Sequence, residues 1–231
     1  VTTGRLPQDD ERLMDETPWL PLFPLKTVLF PDGVLPLRVF ETRYVDMVRD
    51  CMKSGTPFGV VAIRSGTEVG MAAEPYSIGT HAHIAEWDMP ELGVLLLQTR
   101  GGTRFRVLET RLRSNQLLEA QIEPLLPQEA VDAAAGIAND GGHVDDALAV
   151  CSRVLRVVME ELLTQANAQA GDAFANPFPE PHQLDHAGWV ANRWCEMLPI
   201  ELEQKQALLE ITSDEERILR VQAFLQQNGV L

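Results

Sequence analysis

The chain has 231 residues, 45% of them hydrophobic, and a formal net charge of −15, a composition that excludes disorder over most of the length and provides for a sizeable core. No run approaches the ~18 uncharged apolar residues of a membrane helix, and Val1 to Asp10 lacks a basic region followed by an apolar one, so the sequence reads as soluble, unexported and cytoplasmic. Three widely spaced cysteines, Cys51, Cys151 and Cys195, with no Cys-x-x-Cys pair, argue against a disulfide framework and a thiolate zinc site.

The first half is punctuated by Pro and Gly between short runs of branched and aromatic residues, which predicts strands near Trp19–Phe23, Val34–Phe40, Phe58–Ile63, Ile78–Trp87, Gly93–Thr99, Thr103–Glu109 and Gln116–Leu125. Pro21, Pro24, Pro31 and Pro36 suit strand ends and edges. Asp32-Gly33 predicts a hairpin-like reversal between two apolar runs, with Phe30, Phe40 and Tyr44 in the core. Helical spacing of Tyr44, Val48, Cys51 and Met52 predicts a helix over Glu41–Lys53, stopped at Gly55-Thr56-Pro57. In the fourth strand, alternation sends Ile78, Ala82 and Ile84 to one face and His81, His83 and Trp87 to the other.

After Pro127 the texture changes. Small residues around Ala133–Gly136 and Asp140–Gly142 read as a linker over 128–142, dividing a β-rich lobe at 18–127 from a helical lobe at 143–231, with 1–17 as an N-terminal tail. Val144, Leu148, Cys151, Leu155, Val158 and Leu162 mark an apolar stripe on a helix from about His143 to Ala168. Three more helices follow, about His182–Met197, Leu202–Glu210 and one capped by Ser213. Residues 128–231 hold 6 Lys+Arg against 17 Asp+Glu, whereas 1–127 hold 13 against 17, so the negative field sits on the helical lobe and repels phosphate backbones. The architecture expected is α+β, six to seven mostly antiparallel strands and one helix followed by a helical bundle.

Several residues suggest chemistry, and each has a plainer structural reading. His182 and His186 stand at i and i+4, a metal-ligand spacing without a third ligand, and polar decoration of a helix start is the preferred reading. His81 and His83 share a strand face and read first as a solvent-facing stripe. Cys51 and Cys151 lie on helix stripes and read as buried structural thiols. Arg38, Glu41 and Arg43 form a candidate charge network at a helix start, mainly structural. No Gly-x-x-x-x-Gly-Lys loop exists among Lys26, Lys53 and Lys205, and no serine lies in Gly-x-Ser-x-Gly or has the neighbours expected of a nucleophile with a lysine base in a Gly/Pro-rich setting.

Leu20-Pro-Leu-Phe-Pro-Leu25, Leu29-Phe-Pro-x-Gly33 and Leu35-Pro-Leu-x-Val-Phe-Glu-x-Arg-Tyr44 resemble the opening of Lon protease N-terminal domains. Phe58–Val61, Val69-Gly70, Gly79–Ile84, Arg104–Val107, Leu198-Pro199, Lys205–Glu210 and Asp214–Arg217 are similar to the family's later strands and closing helices. Thr42 stands where the family usually has Pro, and His81 where an aliphatic residue is usual. The resemblance implies a PUA-like β lobe with a helical lobe, and the recognition part of a protease without its ATPase or peptidase, that is, a stand-alone domain with no cofactor. The function expected is non-enzymatic binding of polypeptide substrates or partner proteins, as a substrate-binding module or proteolysis adaptor. Trp19, Phe23, Trp87 and Met89, at strand ends or loops, are the candidate partner-binding residues. Two alternatives stand beside it: an RNA or small-ligand reader on the PUA-like sheet using Arg100, Arg104, Arg106, Arg111 and Arg113, for which the acidic chain makes nucleic acid an unfavoured partner, and a metal-dependent hydrolase resting on the histidine pairs.

Overall fold

The computed structural model describes residues 19–68, 73–127, 142–169, 176–178 and 180–231. The expected tail, most of the linker and the Val69-Gly70 match lie outside the described residues. Within them the chain runs β1 (Leu20–Leu25), β2 (Val34–Val39), α1 (Thr42–Ser54), β3 (Phe58–Ser65), β4 (Glu74–Glu91), β5 (Val94–Leu112) and β6 (Leu118–Leu125). The helices α2 (Gly142–Gln169), α3 (Ala187–Met197), α4 (Leu202–Glu210) and α5 (Asp214–Gln227) follow. The class is α+β, as the sequence implied.

The strands form one sheet in the order β2-β5-β4-β3-β1-β6, and β6 pairs back onto β5, so five strands close into a small barrel with β2 beside the first half of β5. Only β1 and β3 run parallel. Closure removes most of the free edge that a sheet of alternating apolar strands would otherwise expose. On one side α1 buries Tyr44, Met47, Val48 and Cys51 in a cluster with Phe23, Phe58, Ala82, Leu95 and Leu97. On another side Val28 and Phe30 of the β1–β2 connection and Ala62 and Ile78 of the barrel join Cys151, Leu155, Trp189, Trp194 and Ile218 of the helices in a single buried cluster. Barrel and helices therefore share apolar core, and neither face is solvent-ready alone.

Four local expectations are corrected. The two predicted strands flanking Gly101-Gly102 are one strand, β5, because these glycines admit close approach rather than a turn. A Cβ on residue 101 would overlap the Phe30 carbonyl oxygen, and one on residue 102 would lie 2.7 Å from His83 Nε2. Asp32-Gly33 does make a turn, with Asp32 at φ +62°, yet it joins no hairpin: β1 pairs with β3 and β6, and β2 pairs with β5. Phe40 is 56% exposed, since alternation along β2 buries Val39 and turns its successor outward. The buried spine of α2 is Ala147, Cys151, Leu155 and Met159, leaving Leu162 exposed, which is the same helix rotated slightly from the expected stripe.

Polar side chains lock the helices to the barrel. Arg104 of β5 is 4% exposed and donates to the carbonyls of Leu209 (2.7 Å), Ile211 and Thr212, the C-terminal end of α4 and the residues after it. A cation there complements the negative end of the helix dipole. Arg217 of α5 approaches the same end through the carbonyls of Leu208 and Ile211. Arg193 of α3 bridges the Pro31 carbonyl (2.8 Å) and Glu196 (2.6 Å). Burial lifts the Glu196 carboxyl to about 7, against the pull of Arg193.

Candidate functional site

Beyond the barrel, the second half of β4 and the start of β5 continue as an arm, flanked by β2 along Leu95–Arg100 and two-stranded only at its tip, which turns at Leu92-Gly93, where Gly93 takes φ +86° and Leu92 is 99% exposed. A register shift between Ile84 and Glu86 decides what this arm presents. It places Trp87 opposite Leu97, a core residue, and so turns Trp87 to the face of Ala82 and Ile84 instead of that of His81 and His83. The strict alternation expected from the sequence fails at this bulge.

Facing the arm is the outer flank of α1. Val45, Arg49, Met52 and Lys53 recur at i, i+4, i+7 and i+8 and so line one strip of the helix, beside the strip that enters the core. With Trp87, Met89 and Leu95 they enclose a groove of about 310 Å³. Trp87 is 54% exposed and Met89 45%, unlike the other two candidates. A second recess of about 280 Å³, lined by Cys51, Gly55, Thr56, His83, Ile84 and Ala85, shares Met52 and Trp87 as walls. The arrangement offers an apolar trough with an indole standing in it; Cys51, at the wall of the second recess, is buried, and burial raises its thiol.

Of the four residues expected to bind a partner, only Trp87 and Met89 come together. Phe23 is buried, its ring edge-on to Tyr44 at 4.1 Å and to Phe58 at 6.2 Å, and it belongs to the core. Half-buried Trp19 lies under the Arg111 guanidinium at 4.1 Å, and Arg111 is held by Glu119 at 2.9 Å. The groove residues that sequence reasoning passed over, Val45, Arg49, Lys53 and Leu95, carry one signal: an apolar position with basic neighbours on the free side of an amphipathic helix.

The remaining candidates make contacts within the fold. Arg43 pairs with Glu41 at 2.8 Å, donates to the Gln116 carbonyl and covers the Tyr44 ring, whereas Arg38 lies outside this pair. The helix expected from His182 begins only at Ala187, so the two histidines do not share a helix face: His186 caps α3 by accepting from the Trp189 amide, and His182 contacts the Phe178 carbonyl. His81 meets the Thr103 carbonyl at 2.9 Å, and burial holds its imidazole below the usual histidine range. No group of three or more His, Cys, Asp or Glu fit to hold a metal occurs among the described residues. Burial pushes the thiols of Cys151 and Cys195 up to about 11 and about 12. The five arginines weighed for RNA are committed elsewhere: Arg100 to Asp32, Arg104 to the helices, Arg106 to Glu123, and Arg111 and Arg113 to Glu119.

A closed barrel that shares its core with a helical lobe and has an open groove at one side is a two-lobed α+β domain. The chain belongs to the family of the ATP-dependent protease La (LON) substrate-binding domain, matched over residues 19–227. It is 28% identical over 193 residues to a Lon protease of Anaeromyxobacter dehalogenans, covering 83% of this chain and 21% of that protein. It is 29% identical over 132 residues to protein cereblon of Gallus gallus, covering 55% of this chain and 27% of that protein. The chain thus spans about a fifth of the length of the Lon protease it matches. A Lon N-terminal domain protein from Xanthomonas campestris has the same fold at a TM-score of 0.61 and 31% identity, covering 89% of this chain and 98% of that one. The N-terminal domain of a Mycobacterium avium complex Lon protease shares the fold alone, at a TM-score of 0.57 and 13% identity, covering 88% and 96%. No described helix is long and apolar enough to cross a membrane.

Proposed function

We propose that the chain recognises polypeptide without catalysing a reaction, and that the groove between α1 and the β4–β5 arm takes an exposed apolar segment. The observation that carries this is the pairing of half-exposed Trp87 and Met89 over Val45 and Met52 of α1. A large indole and a flexible thioether held open to solvent cost hydration free energy that a bound chain would recover, roughly 1–2 kcal/mol for each. The substrate-binding description of the family supports the same reading. Delivery of the bound chain to a protease, as an adaptor, rests on the family relationship.

Calorimetric titration with an unfolded model polypeptide such as reduced, carboxymethylated lactalbumin tests it. Trp87→Ala with Met89→Ser is expected to weaken binding at least about tenfold, the equivalent of about 1.4 kcal/mol, with the thermal midpoint unchanged because both side chains are exposed. Equal affinity of the variant and the unaltered protein would refute the assignment of the groove.

A further inference from the structure

The groove carries a charge opposite to that of the molecule. The chain bears −15 overall, yet the charged residues among the groove's lining are Arg49 and Lys53, both cations. The arm does not cancel them. Its acids, Glu86, Asp88 and Glu91, stand opposite Gln98, Leu96 and Val94 of β5, whereas the groove face uses Leu95 and the core below it Leu97. Paired residues of an antiparallel ladder share a face, so the three carboxylates point away from the trough. On α1, Asp46 holds Arg49 at 3.0 Å, and both side chains are about half exposed. Lys53, exposed in the last turn of α1, has no ion-pair partner among the described residues. Asp50 is the remaining acid on this stretch of helix, and it is absent from the groove wall.

Resting on the reading that the groove binds polypeptide, we propose that it selects segments in which a carboxylate side chain flanks the apolar anchor, with Lys53 receiving that carboxylate beside Trp87. An apolar anchor alone would fill the trough but leave the lysine unpaired. A basic flank would meet Lys53 and Arg49 at short range and be refused by like charge. The net negative field opposes an acidic segment at long range, so the preference acts at short range, at Lys53 and Arg49, and salt should weaken it.

Calorimetric titration of the full chain with three short peptides sharing a Leu-Phe-Leu core, flanked by Glu, Ser or Lys, tests the proposal at low and raised salt. The Glu-flanked peptide is expected to bind about fivefold tighter than the Ser-flanked one, the equivalent of about 1 kcal/mol. The Lys-flanked peptide is expected to bind most weakly, and Lys53→Glu to reverse the order. Lys53 is exposed, so this variant should retain the fold, which circular dichroism checks. Equal binding of all three peptides, lost in Trp87→Ala, would overturn the charge selection and leave the groove's role intact. Binding of none would overturn both. Trp87-dependent self-association of the protein alone, seen by sedimentation, would overturn the proposal by assigning the groove to a second copy of the chain.

Discussion

Arg104→Met is the sharpest test of how the helical lobe is held. The substitution keeps much of the apolar stem and removes a guanidinium that reaches the carbonyls of Leu209, Ile211 and Thr212 from a position only 4% exposed. Arg217 also donates to the Ile211 carbonyl, so that acceptor keeps a partner. The losses are a buried charged hydrogen bond to Leu209 at 2.7 Å, a weaker one to Thr212 at 3.4 Å, and the cation at the α4 C-terminus. A hydrogen bond to a charged group contributes roughly 1.5–3 kcal/mol and the helix-end cation up to about 2 kcal/mol in buried geometry, with the two effects overlapping in the same contact. The expected cost is therefore about 3 kcal/mol. Equilibrium urea unfolding followed by tryptophan fluorescence and circular dichroism measures it. Since Trp189 and Trp194 share a cluster with Phe30 and Ile78, both signals should move together in the unaltered chain. Arg106→Met is the control, as Arg106 is 45% exposed and 4.0 Å from Glu123, and its cost should stay within about 0.5 kcal/mol. A cost for Arg104→Met no larger than that of the control would refute the interlock.

Glu196 ionises near 7 in the folded chain against an ordinary value of 4.5, so between these values the folded state holds a proton that the unfolded state has lost. Unfolding free energy should fall as pH rises through that window, by at most about 3 kcal/mol since the side chain keeps 23% exposure beside Arg193, and Glu196→Gln should flatten the fall; urea midpoints that do not differ between the two proteins across the window would contradict this. All three thiols are buried, and burial raises each of them, so a chromogenic disulfide reagent at mildly alkaline pH should react with none in the native state and with three after unfolding. Rapid native reaction of even one thiol would mean that its surroundings open.

Elements with a local cause could be read from the sequence, and those set by distant partners could not. The stop of α1 follows from Gly55, which adopts φ +67°, and the start of α5 follows from Ser213, whose hydroxyl accepts from the Glu216 amide at 3.1 Å. Gly101 looks like a breaker in isolation; its true constraint is the Phe30 backbone, seventy-one positions earlier in the chain. His182 looks helical because it precedes Trp189 at a helical interval, yet its imidazole contacts the Phe178 carbonyl and the Trp189 ring instead. Within the site, Trp87 and Met89 were legible as aromatic and thioether side chains beside a turn signal. The bulge after Ile84 was not, and that one extra residue determines which face they occupy.

The groove's two walls differ in how deeply they are packed, and the difference bears on what it can bind. One strip of α1 is fixed in the core through Tyr44, Met47, Val48 and Cys51, so the neighbouring strip, Val45, Arg49, Met52 and Lys53, is held in place before any partner arrives. The facing wall is an arm anchored by Leu95 and Leu97 and increasingly exposed toward Leu92. Methionines stand on both walls, Met52 and Met89, and their unbranched side chains can fill differently shaped gaps at little cost. A wall packed into the core lowers the ordering cost of binding, and unbranched methionines relax the demand for one particular side chain. Under the proposed function, discrimination among apolar segments would then come from something other than shape. In the selection proposed above, Lys53, which has no ion-pair partner among the described residues, would supply it: the trough would set how strongly an apolar segment binds, and the cation which of the segments that fit are preferred.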